Sequence, residues 1–459
     1  MLVALRAVRH REPAQSSRAA LLRRRVTEHG REGIRERGYF GCSLRELALE
    51  ARTTPSAILR LFGSKHGLLR TIYDESLETA LGWLDDVRVE SPAEQMTAGV
   101  LRVLKRAKAE PRVGDFLVCH ARDTDFLIGR RGDLLRAPDE RDPEGDVFAW
   151  FHERAHACVE SGAVEGLAPL ALAEAVVGIM ERFLLRSFLH RESGRARQAQ
   201  GYGCSAAEAV LRLLFEPAAG PPPHRRSSFA HADRLVGWDD GTRDRLVASA
   251  WVELATHGYG SSTTAAIARG ARTSESELFR LFSAGKPDLL REVQERCYAF
   301  VLADLEALDG ADPRSELVDG SALLWWLAED QPSLMTFVLA GAGNTAPLLI
   351  APRDEDAPGA HATLPVAAER YARWFRDRAR AACPPSATPG LGNAAGEAVL
   401  GIAERMLLTW HRAEPGRGTR RAPSPQDAIA PIERIVQGLQ PAPARRPQRH
   451  RRAVPVPVA

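Results

Sequence analysis

Apolar residues recur at intervals of three and four through most of the chain, the spacing of one face of an α-helix. Leu246, Ala250, Val252 and Leu254 follow it, as do Val399, Ile402, Ala403 and Met406. No run develops the strict alternation of a half-buried strand, and Ala, Leu, Arg and Glu dominate. The pattern predicts an all-α protein. Proline-rich stretches interrupt it twice, as EPAAGPPPHRRSS at 216–228 and as the arginine-rich run from Pro441 onward. Proline cannot continue a helix, so the first reads as a semi-rigid spacer and the second as a disordered tail.

The helical pattern occurs twice. Gly38-Tyr39 returns as Gly258-Tyr259, Ala51-Arg52-Thr53 as Ala271-Arg272-Thr273, and Arg60-Leu61-Phe62 as Arg280-Leu281-Phe282, all at a shift of 220. Lys65 and Leu68-Leu69-Arg70 pair with Lys286 and Leu289-Leu290-Arg291 one residue later. Further on, Trp150-Phe151 matches Trp374-Phe375, Glu174-Ala175-Val176 matches Glu397-Ala398-Val399, and Glu181-Arg182 matches Glu404-Arg405. Matches that keep their order with shifts this constant predict a tandem duplication, two copies of roughly nine helices each.

Residues 258–293 carry the local signals that matter most. Gly258 can end one helix, Ser262 can cap a second with Ala266, Ile267 and Ala271 on its inner face, and Arg272-Thr273 can form a tight turn. Ser274 can then cap a short helix holding Leu278, Phe279 and Phe282. Two short helices behind a longer amphipathic one (243–257) describe a helix-turn-helix. The first copy repeats it with a helix over 18–37, a second from Ser43 to Ala51, the turn at Arg52-Thr53, and a third from Thr54 to Phe62. The expected divisions are a flexible start (1–15), a DNA-binding unit (16–75), a helical domain (76–215), the linker (216–237), a second DNA-binding unit (238–295), a second helical domain (296–440) and the tail (441–459).

At Gly38-Tyr39, Leu47-Ala48, Phe62, Ser64-Lys65 and Leu68-Leu69 the chain resembles the tetracycline-repressor (TetR) family. Gly258-Tyr259, Ile267-Ala268, Phe282, Lys286 and Leu289-Leu290 repeat that signature. The resemblance implies a sequence-specific regulator of transcription, a ligand-responsive repressor acting on a double-stranded DNA operator. It also implies that the remainder of each copy binds an unknown small-molecule effector and pairs two subunits. Late helices at about 169–190 and 205–215, and at 394–411 and 426–439, would form that pairing bundle. Both partners can lie in one chain, as a pseudo-dimer, or two chains can pair as a homodimer.

By the same resemblance Ser43, Thr53, Thr54, Ser56 and Ala57 belong to the DNA-reading surface, and Arg52, Arg60 and Lys65 hold phosphates. Thr273, Ser274, Glu275, Arg272, Arg280 and Lys286 are their counterparts. Arginine stands at the turn where the family has glycine, and Leu59 and Phe279 stand where it has a tyrosine. Aromatic residues Phe116, Phe126, Trp150, Trp325, Phe337, Tyr371 and Trp374 are the candidates for an effector pocket.

The net charge of +3 excludes a polycation, so any basic surface must be local. Residues 16–73 hold twelve Arg or Lys against five Asp or Glu, whereas 238–293 hold seven against eight. The first unit is thus expected to supply most phosphate contacts. No apolar stretch reaches the ~18 residues of a membrane span, and six scattered cysteines without a Cys-x-x-Cys pair suit a reducing cytoplasm.

His152-Glu153-Arg154-Ala155-His156 fits the H-E-x-x-H pattern of zinc hydrolases, with Glu174 or Glu181 as a conceivable third ligand. The second copy, Phe375-Arg376-Asp377-Arg378-Ala379, lacks both histidines, and no enzyme activity, metal or cofactor is expected. The alternative to a regulator is a sensor or protein-interaction module whose DNA-binding units have decayed, with a zinc hydrolase third.

Overall fold

The computed structural model describes residues 12–118, 143–192, 203–216, 223, 229, 240–309, 312–342, 366–412 and 424–439. Eighteen α-helices and no strand occupy them. The first nine are α1 (Glu12–Gly41), α2 (Leu44–Glu50), α3 (Pro55–Phe62), α4 (Lys65–Asp85), α5 (Pro92–Ala109), α6 (Pro111–Val118), α7 (Pro143–Glu160), α8 (Pro169–Glu192) and α9 (Cys204–Phe215). The rest are α10 (Thr242–Ser261), α11 (Thr264–Gly270), α12 (Glu275–Leu281), α13 (Lys286–Glu306), α14 (Pro313–Asp330), α15 (Pro332–Ala342), α16 (Val366–Ala382), α17 (Leu391–Arg412) and α18 (Pro425–Gly438). The expected tail, most of the linker and Phe126 lie outside the described residues. Helix α1 begins inside the stretch expected to be a flexible start.

The chain turns sharply inside α1 and α10 at glycines with left-handed backbone, Gly38 (φ 72°) and Gly258 (φ 73°), a region that glycine enters at little cost. Beyond each bend Tyr39 and Tyr259 are buried against the following helices. The reading of α10 from apolar spacing fails at one position. Val252 is 65% exposed, because the inner face runs through Leu246, Val247, Ala250 and Leu254.

Helix α1 carries glycines where a core residue would be expected, and both are close contacts. A Cβ on Gly30 would sit 3.0 Å from Leu68, and one on Gly33 would meet Cys42 at 3.0 Å. Charge supplies the remaining anchorage. Arg31 donates to Ser76 (2.7 Å) and Glu75 (3.1 Å), and Arg35 donates to the buried Asp115 of α6 (2.9 Å). Another close contact occurs twice: Gly99 of α5 lies under Trp150 of α7, and Gly320 of α14 under Trp374 of α16. A Cβ would come within 2.9 and 2.7 Å of those rings.

Helices α8, α9, α17 and α18 pack into one bundle, with α8 against α17 as its central contact. The two helices cross at Gly178 and Gly401, where a Cβ would lie 2.6 and 2.5 Å from the opposite carbonyl oxygen. Only glycine permits that approach. Around the crossing Arg182 pairs with Glu397 (2.6 Å) and Glu404 (3.1 Å), and Arg405 pairs with Glu174 (2.6 Å) and Glu181 (2.7 Å). Arg186 and Arg376 add pairs to Glu397 and Glu369. Burial disfavours the charged forms, yet these contacts outweigh it and hold the Glu397 carboxyl at about 2.

Candidate nucleic-acid interface

Each short helix pair is fixed by side-chain caps. Ser43 caps α2 reciprocally with Glu46: its hydroxyl accepts from the Glu46 N–H (3.1 Å), and its own N–H donates to the Glu46 carboxylate (3.2 Å). Those bonds hold the Glu46 carboxyl below its ordinary range. Thr54 caps α3 by accepting from the Ala57 N–H (3.2 Å), and Ser274 caps α12 by accepting from the Glu277 N–H (3.1 Å). The cap of α11 is Thr263 and not Ser262. Ser262 is buried, and its hydroxyl donates to the carbonyl of Gly258 (2.6 Å) with that of Glu253 also in reach (3.1 Å), so it closes the preceding helix.

The turns hold the two non-glycine residues with positive φ among those described, Arg52 (49°) and Arg272 (54°). The following N–H groups close them: Thr53 donates to Ala48 O (2.8 Å) and Thr273 to Ala268 O (2.9 Å). Left-handed backbone costs an L-residue about 1 kcal/mol, and retained strain of this kind marks positions with a use. Both arginine side chains are exposed. Arg52→Gly is expected to raise stability by up to about 1 kcal/mol while weakening DNA binding, read from a melting curve and a binding isotherm side by side.

Beyond the turn, Thr54, Ser56 and Arg60 are exposed and Thr53 and Ala57 are half-buried, all on or beside α3. The matching positions around α12 have the same exposure but different chemistry. Glu275 accepts from the Thr264 hydroxyl (2.6 Å), and Arg280 is bound to Glu277 by two contacts of 2.8 and 2.5 Å. The basic charge of Arg280 is therefore balanced within its own helix. Leu59 and Phe279 are 43% and 47% exposed at the outer face of the two helices.

Lys65 and Lys286, expected at phosphates, are turned inward. Lys286 Nζ donates to the carbonyls of Tyr259 and Ser262 (2.9 Å for the latter) and lies 4.3 Å from the Tyr259 ring centroid. Lys65 Nζ lies 4.4 Å from the Tyr39 centroid. Burial lowers both ammonium groups from the ordinary lysine value. These lysines fasten the bend at Gly38 and Gly258 to the start of the next long helix. Sequence reasoning also missed a second pair of fasteners. Arg23 donates to Leu61 O (3.0 Å) and Thr71 (3.2 Å) over the Phe62 ring, and Arg243 donates to Leu281 O (3.4 Å) and Glu292 (3.0 Å) over Phe282. Their equal offset from the Gly-Tyr pairs was the available signal.

Apart from Phe126, the aromatic residues expected to line a pocket are buried in the core. Phe116 packs edge-on to Tyr73, Trp150 to Phe151, Phe337 to Trp251, Tyr371 and Trp374 to Phe375, and Trp325 lies against Trp410. A cavity does exist in the first half, between α4, α5, α6, α7 and α8. Leu77, Ala80, Val103, Leu117, Val147, Phe148, Val177, Met180 and Leu184 line it, with Glu181 and, from α17, Arg405. Aliphatic residues at helical spacing give no sequence signal for such a space.

The H-E-x-x-H stretch lies within α7, and its side chains are engaged with neighbours of their own. His152 stacks on Phe148, His156 pairs with Glu160, and Arg154 lies 3.6 Å from the Trp150 centroid. Glu174 and Glu181 are bound to Arg405. Among the described residues no group of three or more His, Cys, Asp or Glu side chains is placed to hold a metal ion.

The arrangement of α1–α3 defines a helix-turn-helix, the element with which a regulator enters a DNA groove. Residues 27–72 match the family model of bacterial regulatory proteins of the tetR family, which supports a TetR-family, DNA-binding transcriptional regulator. The match spans the second half of α1, the two short helices and the start of α4. No curated protein matches the chain. Among the described residues no helix is long and apolar enough to cross a membrane.

Proposed function

We propose that this chain is a sequence-specific, ligand-responsive repressor of transcription. In this reading it consists of two tandem copies of one regulator, joined as a covalent pseudo-dimer. The observation that carries it is the α8–α17 contact. Arg182 meets Glu397 and Glu404 while Arg405 meets Glu174 and Glu181, so each residue does on one helix what its counterpart does on the other. Such reciprocity is the mark of a two-fold dimer interface, found here between helices of one chain. Light scattering at micromolar concentration is expected to give a 50.2 kDa particle. A pure species of twice that mass would replace the intrachain pair by a homodimer.

The two reading heads are unequal in this proposal. The first offers Arg52 and Arg60 beside the exposed Thr54 and Ser56, whereas Arg280 in the second is balanced by Glu277. Arg52→Ala with Arg60→Ala is expected to weaken binding to all DNA sequences and to flatten its salt dependence by about one unit per lost contact. Arg272→Ala with Arg280→Ala should do less, and equal losses would refute the asymmetry. The exposed Leu59 and Phe279 favour one other reading, a sensor whose DNA-binding units have decayed. That protein would bind no DNA in a salt-dependent way.

A further inference from the structure

The second reading head carries a pairing that the first lacks. At the start of α2 the glutamate three residues after the capping serine, Glu46, turns back to accept from the N–H of Ser43. Glu277 holds the same place after Ser274 in α12, and its N–H likewise donates to the serine hydroxyl (3.1 Å). Its carboxylate runs forward instead. One oxygen accepts from Arg280 Nε (2.8 Å) and the other from Arg280 Nη2 (2.5 Å). Both oxygens are thus given to one guanidinium group, a turn further along the same helix. In the first head the matching positions are Ala57 and Arg60, and an alanine offers Arg60 no carboxylate.

The geometry of the pair decides what the arginine can still do. A guanidinium presents its five N–H donors in one plane. Glu277 takes one from Nε and one from Nη2, along the side of the group. Both N–H bonds of Nη1 and the second of Nη2 are left over, and one from each nitrogen points the same way as a fork. That fork matches two acceptors on one planar edge, which in the major groove is the O6 and N7 edge of guanine. The Arg280 side chain remains 65% exposed, open to such a contact.

A phosphate also offers paired acceptors, but charge weighs against it. Glu277 cancels the arginine charge within the helix, so a phosphate at the fork meets a carboxylate directly behind the guanidinium. A guanine edge carries no net charge and loses little by the cancellation. Holding a long side chain in place beforehand also lowers the ordering cost of the contact. The other acid at the helix start does not compete for the fork, since Glu275 accepts from the Thr264 hydroxyl of α11 (2.6 Å).

We infer that Arg280, positioned by Glu277, selects a guanine in the half-site read by the second head. The inference deepens the DNA-binding function proposed above and rests on it. Arg60 stays available to phosphates, so this guanine is required in one half-site only. The first head then contributes general affinity, and the second contributes discrimination.

Selection of bound duplexes from a random DNA pool by the full chain, repeated with variants, tests this. The intact chain is expected to require one guanine that Arg280→Ala no longer selects, preferred over other bases by about ten- to a hundredfold. Replacing that base by 7-deazaguanine keeps the base pair and removes N7. It should weaken binding about tenfold for the intact chain and leave Arg280→Ala unaffected. Glu277→Gln releases the arginine, so the guanine preference should fall while affinity for unrelated duplex rises. A loss of fold would not give those opposite changes. Ala57→Glu should build the same pair on α3 and add a guanine to the other half-site. An Arg280→Ala consensus identical to the intact one, a lost position that is not guanine, or indifference to 7-deazaguanine overturns the inference. So does an undiminished preference in Glu277→Gln, or Ala57→Glu without a second guanine. A chain that selects no DNA overturns both the inference and the proposed function, whereas a consensus indifferent to Arg280 overturns the inference alone.

Discussion

Glu397→Ala is expected to destabilise the chain by about 3–5 kcal/mol, read from the midpoint of urea unfolding, because it strands buried positive charge. Arg182, Arg186 and Arg376 all contact this one carboxylate, and after its removal Glu404 and Glu369 remain to balance three guanidinium groups. A surface pair would contribute far less. The same carboxylate gives the chain an acid limit. Its folded value of about 2 lies below the ordinary glutamate value of 4.5, so the stabilisation is complete above about 4.5 and is lost as the pH falls toward 2. Glu397→Gln should flatten that acid limb, measured as unfolding free energy against pH. An unchanged limb would assign acid sensitivity to other carboxylates.

Gly401→Leu is expected to have an effect of similar size through a different force. The side chain would start 2.5 Å from Gly178 O and 2.7 Å from the Arg182 side chain, so α8 and α17 must separate. Overpacking of this kind typically costs about 1–3 kcal/mol, and here it also lengthens the ion pairs on either side of the crossing. Gly178→Ala should cost less, as the smaller intrusion. Gly82 is the control, since a Cβ there meets nothing within 4 Å and Ala is the better helix former, so Gly82→Ala should be neutral or stabilise by up to about 1 kcal/mol. Parallel losses at Gly82 and Gly401 would remove the crossing as the cause.

The helical class and the first helix-turn-helix were legible because they rest on local signals, the spacing of apolar residues and the Gly-Tyr bend; of the two caps read in the second unit, Ser274 stands and Ser262 gives way to Thr263. The ends of α8, α9, α17 and α18 were placed within a few residues for the same reason. The site was less legible, since type and position do not say where a long side chain ends. Lys65 and Lys286 read as phosphate ligands from their register, yet their four-carbon stems reach back over tyrosine rings. Glu174, Glu181, Arg182 and their counterparts were visible as repeated letters, but the contact that joins them spans more than 200 residues of chain. A cavity walled by Leu77, Val147 and Leu117 is hidden for a related reason, because those residues would look identical in a filled core.

The covered face of α8 has a genetic consequence. In a dimer of separate chains, a damaged subunit pairs with intact ones and disables them, so the mutant allele is dominant. Here α8 already lies against α17 of its own chain, and the glycines and guanidinium groups of that face are occupied. If the proposed pseudo-dimer is the working unit, a defective chain does not offer this face to a neighbour. Loss-of-function alleles co-expressed with the intact gene should therefore behave as recessive, and each half is free to change without its twin changing in step.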